Sequence, residues 1–306
     1  MAINIPVRRG GYGTICRLGC YSKPGDGTMN NVKVFTLLAG MTVVMGMVGQ
    51  AMGGQSGMLI ALLIAGLMNF YMYFTSSTKV MKAFKAQTIS REQAPELYAI
   101  VDKLRQRAGL PMPTVGIAPQ QQPNAFATGR NADHAVVCVT QGLLDMLDQD
   151  ELEGVLAHEL GHIKNRDMLL QTISATMSGA ITSLARFGLY SPHQGEGRGS
   201  AMGPLLALLA PVVAMILQFA ISRTREFKAD AVGAEISGKP LALASALNKM
   251  QQIAQRAPMD VPPSVAPIAQ VNPLSGFRGL SRLFSTHPAT EERIARLQAM
   301  ATAGAG

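Results

Sequence analysis

Tryptophan is absent from the 306 residues, aromatic residues are only 5% of the chain, and charged residues only 15%, against about 25% in ordinary soluble domains. So few aromatics leave little for a base-stacking platform. The formal charge of +8 therefore does not read as a nucleic-acid surface, and nucleic acid is not expected as a partner. The basic residues lie beside apolar blocks, where juxtamembrane charge explains them. Cysteine is scarce too: Cys16, Cys20 and Cys138 cannot form a disulfide framework, and one lone C-x3-C without a second pair is no metal motif. The first 28 residues lack an apolar stretch of signal-peptide length and read as a flexible extension ahead of Met29. Hydrophobic residues, by contrast, reach 48%, too many for a disordered chain.

They concentrate in four blocks. Residues 34–52 and 58–74 carry no charge, and each approaches the ~20 residues needed to cross a bilayer core. A short Gly-rich turn at 53–57 joins them, so 29–78 reads as a transmembrane hairpin. Arg8, Arg9, Arg17, Lys23 and Lys33 precede it and Lys79, Lys82, Lys85 and Arg91 follow it, which places both ends in the cytoplasm. The third block, 168–190, is rich in Ser and Thr and carries Arg186. The fourth, 202–221, contains Pro204 and Pro211, which membrane helices tolerate. Two readings of 168–221 stand, a second transmembrane hairpin or a hairpin buried in the soluble domain. Lys164 and Arg166 before it, and Arg223, Arg225 and Lys228 after it, favour spanning.

The remainder, 79–167 and 222–306, reads as two parts of one domain on the cytoplasmic side. A helix is predicted over 91–108 from the spacing of Leu97, Ile100, Val101 and Leu104. Short strands are predicted at 115–118 and 135–140, with turn-rich chain at 120–130. Asp148 and Glu151 form a capping-box pattern that starts a helix near Gln149. Further helices are predicted from Pro240 to Arg256 and from Pro288 to about Met300. Between them, five prolines over 258–273 make a long loop.

The helix beginning at Gln149 contains His158-Glu159-Leu160-Gly161-His162, an H-E-x-x-H pattern. Its histidines stand one turn apart on one face and can converge on one ion, with Glu159 beside them as general base toward water. A catalytic zinc of this kind requires a third protein ligand. Asn165 and Met168 stand where a metzincin needs Gly and His, so that class is excluded. His134 abuts a strand and His193 would lie across the membrane. Glu226 is the better candidate, with Asp230 one turn on as the carboxylate that orients a ligand from behind. A pair of surface acids is the bland alternative, against which the out-and-back path of blocks three and four returns Glu226 to the side of His158.

The HELGH helix, a hydrophobic hairpin, then S-R-T-R-E-F-K-A-D, with N-A-F-A-T-G upstream and S-T-H-P near the end, resemble the HtpX family of bacterial membrane zinc proteases. More distantly, the pattern is similar to the CAAX prenyl endopeptidases. The resemblance implies a mainly α membrane protein of four transmembrane helices with a gluzincin-type α+β catalytic domain facing the cytoplasm at the inner membrane. It implies one zinc ion on His158, His162 and Glu226, with Glu159 as base. It further implies a substrate-binding strand at Asn124, Ala125, Phe126 and Ala127, and a histidine near the active site at His287. The expected function is a zinc endopeptidase acting on damaged or misassembled membrane proteins. Two rivals stand beside it. One is a maturation protease for a defined prenylated or signalling peptide, whose chamber would need more than four helices. The other is a scaffold with a vestigial site, against which the intact His158, Glu159, His162, Glu226 and Asp230 speak.

Overall fold

The computed structural model describes residues 26–174, 223–254 and 290–304. Cys16, Cys20, His193 and His287, the connector at 191–200, the fourth apolar block and the Pro-rich loop lie outside the described residues.

Helix α1 (Asp26–Ala83) folds back on itself at two residues only, Gly53 and Gly54, whose dihedrals leave the helical region. Gly54, at φ 60 and ψ −149, occupies backbone space essentially reserved for glycine. The turn is thus tighter than the five residues expected, and Gln55, Ser56 and Gly57 are already helical. Close approach needs glycine again just beyond it, because a Cβ on Gly49 would lie 2.5 Å from the Gly57 carbonyl oxygen. Farther along, the Asn69 amide donates to the Leu38 carbonyl (3.2 Å) and to Thr42 Oγ1 (2.8 Å), which fixes the register of the two arms. The outward side chains, Phe35, Val43, Met47, Leu63, Leu67 and Phe70 among them, are exposed and apolar. The second arm, Gly53–Ala83, has 31 residues, about 46 Å at 1.5 Å per residue. It is long and apolar enough to cross a hydrocarbon core of about 30 Å, and Lys79 and Lys82 stand in its last turns.

The soluble part is a small mixed sheet under a layer of helices. Strands β1 (Gln87–Thr88), β2 (Thr114–Ala118), β3 (Ala125–Gly129) and β4 (Ala135–Thr140) stand in the order β1-β2-β4-β3. β2 and β4 are parallel, and β3 runs antiparallel to β4 with Ala127 opposite Val137. β3 falls inside the stretch expected from its own residues to be turns. Its five positions are all buried, so no polar alternation marks it, and Ala and Gly carry little strand propensity. Helix α2 (Pro95–Ala108) starts later than predicted because Ala94, before a proline, is held extended at φ −145 and ψ 71. It ends at Gly109 in the left-handed conformation.

After the short α3 (Gln141–Met146), helix α4 (Gln149–Asn165) begins with the predicted capping box, both of its reciprocal bonds formed between Asp148 and Glu151. Helices α5 (Arg223–Ser237), α6 (Pro240–Ala254) and α7 (Thr290–Gly304) complete the described layer. α5 lies hard against α4: a Cβ on Gly233 would sit 2.8 Å from the backbone of His158. Residues 168–174 are helical, and their Leu169, Leu170 and Ile173 bury against Val34, Leu38 and Met72 of the α1 hairpin.

Candidate active site

Helical geometry brings His158 and His162 together as expected, with Nε2 atoms 3.1 Å apart. Glu226, in the first turn of α5, places its carboxylate oxygens 3.7 Å from His158 Nε2 and 3.8 Å from His162 Nε2. The three donor groups are buried and lie within 4.8 Å of one another. Two nitrogens bound at 2.0–2.1 Å to one tetrahedral ion stand about 3.3 Å apart, so the observed separation suits a shared metal.

Each imidazole is held from behind. His158 Nδ1 donates to Asp230 Oδ1 at 2.9 Å and His162 Nδ1 to Asp167 Oδ1 at 3.0 Å, leaving both Nε2 lone pairs facing inward. Asp230 is gripped in turn by the buried Arg293 of α7, whose Nε and Nη2 donate to its two oxygens at 2.8 and 2.6 Å. Burial acts to raise the Asp230 carboxyl, but the guanidinium outweighs it and holds it down at about 2. Burial likewise disfavours charge on His162, yet Asp167, with Glu226 and Glu159 beyond it, pushes that imidazole up to about 10. Arg225 is also buried and feels both Asp167 and Glu226.

The charges decide what belongs here. Glu159, Glu226, Asp167 and Asp230 face two guanidinium groups, Arg225 and Arg293, which leaves a formal −2 in a buried site once both imidazoles are neutral, as ligands must be, and Glu159 is ionised, as a base must be. Uncompensated buried charge is costly, and one divalent cation among the donors balances it. The mixed His-His-carboxylate set is one that zinc takes readily. Glu159 itself is fully enclosed, and burial raises its carboxyl pKa, with Glu226 adding to the effect. A base raised toward neutrality is suited to proton transfer. The Ala127 backbone N–H is aimed at this carboxylate, so β3 borders the site. Burial also pushes the Cys138 thiol up, and a protonated thiol is no ligand.

Sequence reasoning missed Asp167, Arg225 and Arg293. Asp167 left a faint signal, an acid just past the end of the metal-motif helix, where Arg166 turns the chain back in the left-handed conformation at φ 55. Arg293 left none, since E-E-R at the start of a helix reads as surface charge. Asn124 is buried at the mouth of β3, where its side chain accepts from the Ala125 N–H and its own N–H donates to Thr140 Oγ1.

With this geometry in place, the family model described as "Peptidase family M48" matches residues 91–301. A "Protease HtpX homolog" of Gemmatimonas aurantiaca is 58% identical over 89% of this chain and 100% of its own length. A protein of the same description from Salinibacter ruber is 54% identical over 89% of this chain and 99% of its own. Among solved structures, the S. mikatae Ste24p crystal structure aligns with a TM-score of 0.49 at 19% identity, over 88% of this chain and 65% of that longer one. Matched over most of its length by the family model, and over 89% of it by relatives 54% and 58% identical, the chain belongs to peptidase family M48 and is a membrane-associated metalloprotease.

Proposed function

We propose that the protein is a zinc endopeptidase of the bacterial inner membrane, with four transmembrane helices and its active site toward the cytoplasm, acting on damaged or misassembled membrane proteins. The observation that carries this reading is the buried His158–His162–Glu226 cluster with a carboxylate behind each imidazole. When bound there, zinc supplies Lewis acidity that acidifies water and draws charge from the scissile carbonyl. Glu159 accepts the proton from the attacking water and passes it to the leaving amine. Asp230 and Asp167 fix the tautomer and aim of the two histidines, and Arg293 holds Asp230 ionised and in place. His287 is assigned to donate a hydrogen bond to the developing oxyanion.

Asn124, Ala125, Phe126 and Ala127 are assigned to hold the substrate. Asn124, Phe126 and Thr128 turn their backbone groups toward β4, as the bond from Thr140 N–H to the Asn124 carbonyl establishes. Ala125, Ala127 and Gly129 therefore turn theirs outward, and among the described residues no strand pairs with that edge. Such an edge selects extended backbone rather than particular side chains, which suits unfolded substrates of varied sequence.

The test is Glu159→Gln in purified protein. Metal content, measured by elemental analysis, should match wild type, while cleavage of an unfolded protein substrate falls by about 10²–10⁴-fold, the usual contribution of a general base. Chelation should abolish the wild-type activity and added zinc restore it. Turnover by Glu159→Gln close to wild type would sink the mechanism.

A further inference from the structure

The placement of β3 relative to the membrane helix makes it more than a binding edge, an inference that rests on the reading of β3 as the substrate strand. The apolar run of α1's second arm ends at Phe74, after which Thr75, Ser76, Ser77, Thr78 and Lys79 come in turn. Phe70, Tyr71, Tyr73 and Phe74 crowd this level, with the Lys79 ammonium 4.6 Å from the Tyr71 ring. Aromatic rings of this kind, with a cation beside them, mark a membrane–water interface.

β3 is tied to the same arm at two heights. Phe126 stacks on Phe84, ring centroids 4.4 Å apart, and Arg130 lays its guanidinium over Phe74 at 5.1 Å. Phe74 and Phe84 are separated by about 15 Å of helix, and Phe126 and Arg130 by about 13 Å of strand. The two lengths agree, so β3 runs alongside the helix and points down it, its C-terminal end at the interface. Ala127, whose N–H meets Glu159, lies three residues before Arg130, about 10 Å from that level along the strand. A second tie holds this spacing: Thr128 Oγ1 is 2.9 Å from Thr172 Oγ1, on the helical segment that packs into the hairpin.

We propose that the site measures distance from the bilayer, cutting about three to six extended residues beyond the cytoplasmic end of a transmembrane segment. The geometry also fixes chain direction. β3 runs toward the membrane, and a partner in the more stable antiparallel pairing runs away from it. The membrane segment of the substrate therefore precedes the cut in sequence. Fewer than about three residues cannot reach Glu159, while long tethers dilute the segment at the edge.

The experiment uses the full chain, zinc-loaded, in vesicles of phosphatidylethanolamine and phosphatidylglycerol. A stretch that it cleaves as a free soluble peptide is placed after a single transmembrane helix, behind polar spacers of no residues, about 4, about 10 or about 20, and in a second series before the helix. Initial rates are followed by gel and the cut positions by mass spectrometry. The expected profile peaks near the spacer of about 4 and falls roughly tenfold by about 20, the −3/2 power dependence of effective concentration on tether length. It is lower with no spacer and lower throughout the reversed series. Cleavage of the free peptide together with a flat spacer profile, or a faster reversed series, overturns the ruler and leaves the protease standing. Failure to cut any form, free peptides included, overturns the protease reading and the ruler with it.

Discussion

Arg293 and Asp230 form the most tightly bonded ion pair of the site, and both are buried. Arg293→Ala strands the Asp230 carboxylate in a dry interior, for which the cost is about 3–5 kcal/mol. The melting temperature should drop sharply and metal affinity with it, and an unchanged melting curve would show that the pair is dispensable. The ligand assignment has its own test. Glu226→Ala should remove most bound metal, because two imidazoles alone hold zinc weakly. Asp230→Ala should cost about 10–100-fold in affinity or activity, and His287→Ala should lower turnover with metal content intact. Full zinc occupancy in Glu226→Ala with loss in His287→Ala would reverse the roles. At this scale the convergence of His158 and His162 was legible in the sequence, since H-E-x-x-H on one helical face is a local pattern. Of their supports Asp230 was legible, one turn after Glu226, but Arg293 was not, since it reaches Asp230 from a helix 63 positions later and no spacing rule connects the two.

Between α4 and α5, contact distance is set by hydrogen atoms where side chains would otherwise stand. Gly233→Ala drives a methyl into the His158 backbone, so α5 must retreat and carry Glu226 and Asp230 with it. Metal affinity should fall well beyond the loss in thermal stability, whereas Gly66→Ala, with open space around it, should change neither. The opposite side of α4 holds a different device. Glu153 is buried, which raises its carboxyl, but Lys103 at 2.8 Å and Lys239 at 2.7 Å lower it further than burial lifts it. Its folded value therefore lies below the ordinary carboxylate value of about 4.3. Its contribution to stability is fully present above that pH and is lost as pH falls through the lower folded value. Acid unfolding followed by circular dichroism should show a smaller loss between about pH 5 and pH 3 in Glu153→Gln than in wild type. Among the elements, α2, β2, β4 and α4 were legible because period, caps and proline positions agree. β3, implied only by the family resemblance, was hidden from a reading of the residues because a strand enclosed on both faces and built of Ala and Gly has neither period nor propensity to show.

For the molecule as a whole, the membrane arrangement is open to labelling. Single cysteines at 53–57 and 191–200 should react with impermeant reagents from the periplasm, and cysteines near Arg91 only from the cytoplasm. Cytoplasmic labelling of 191–200 would turn the second pair of apolar blocks into a re-entrant or buried hairpin. The chain path adds a practical corollary. Asp167, which steadies His162, is followed at once by Met168, and Leu169, Leu170 and Ile173 seat against the two arms of α1. Catalysis and solvation by amphiphile are thus separated by a single helical turn. A catalytic fragment cut free of the α1 hairpin would expose that apolar seat beside the His158–His162–Glu226 cluster. Activity measured after extraction is consequently a property of the enzyme together with its detergent, and surfactants of different chain length should rank differently for turnover even where they solubilise equally well.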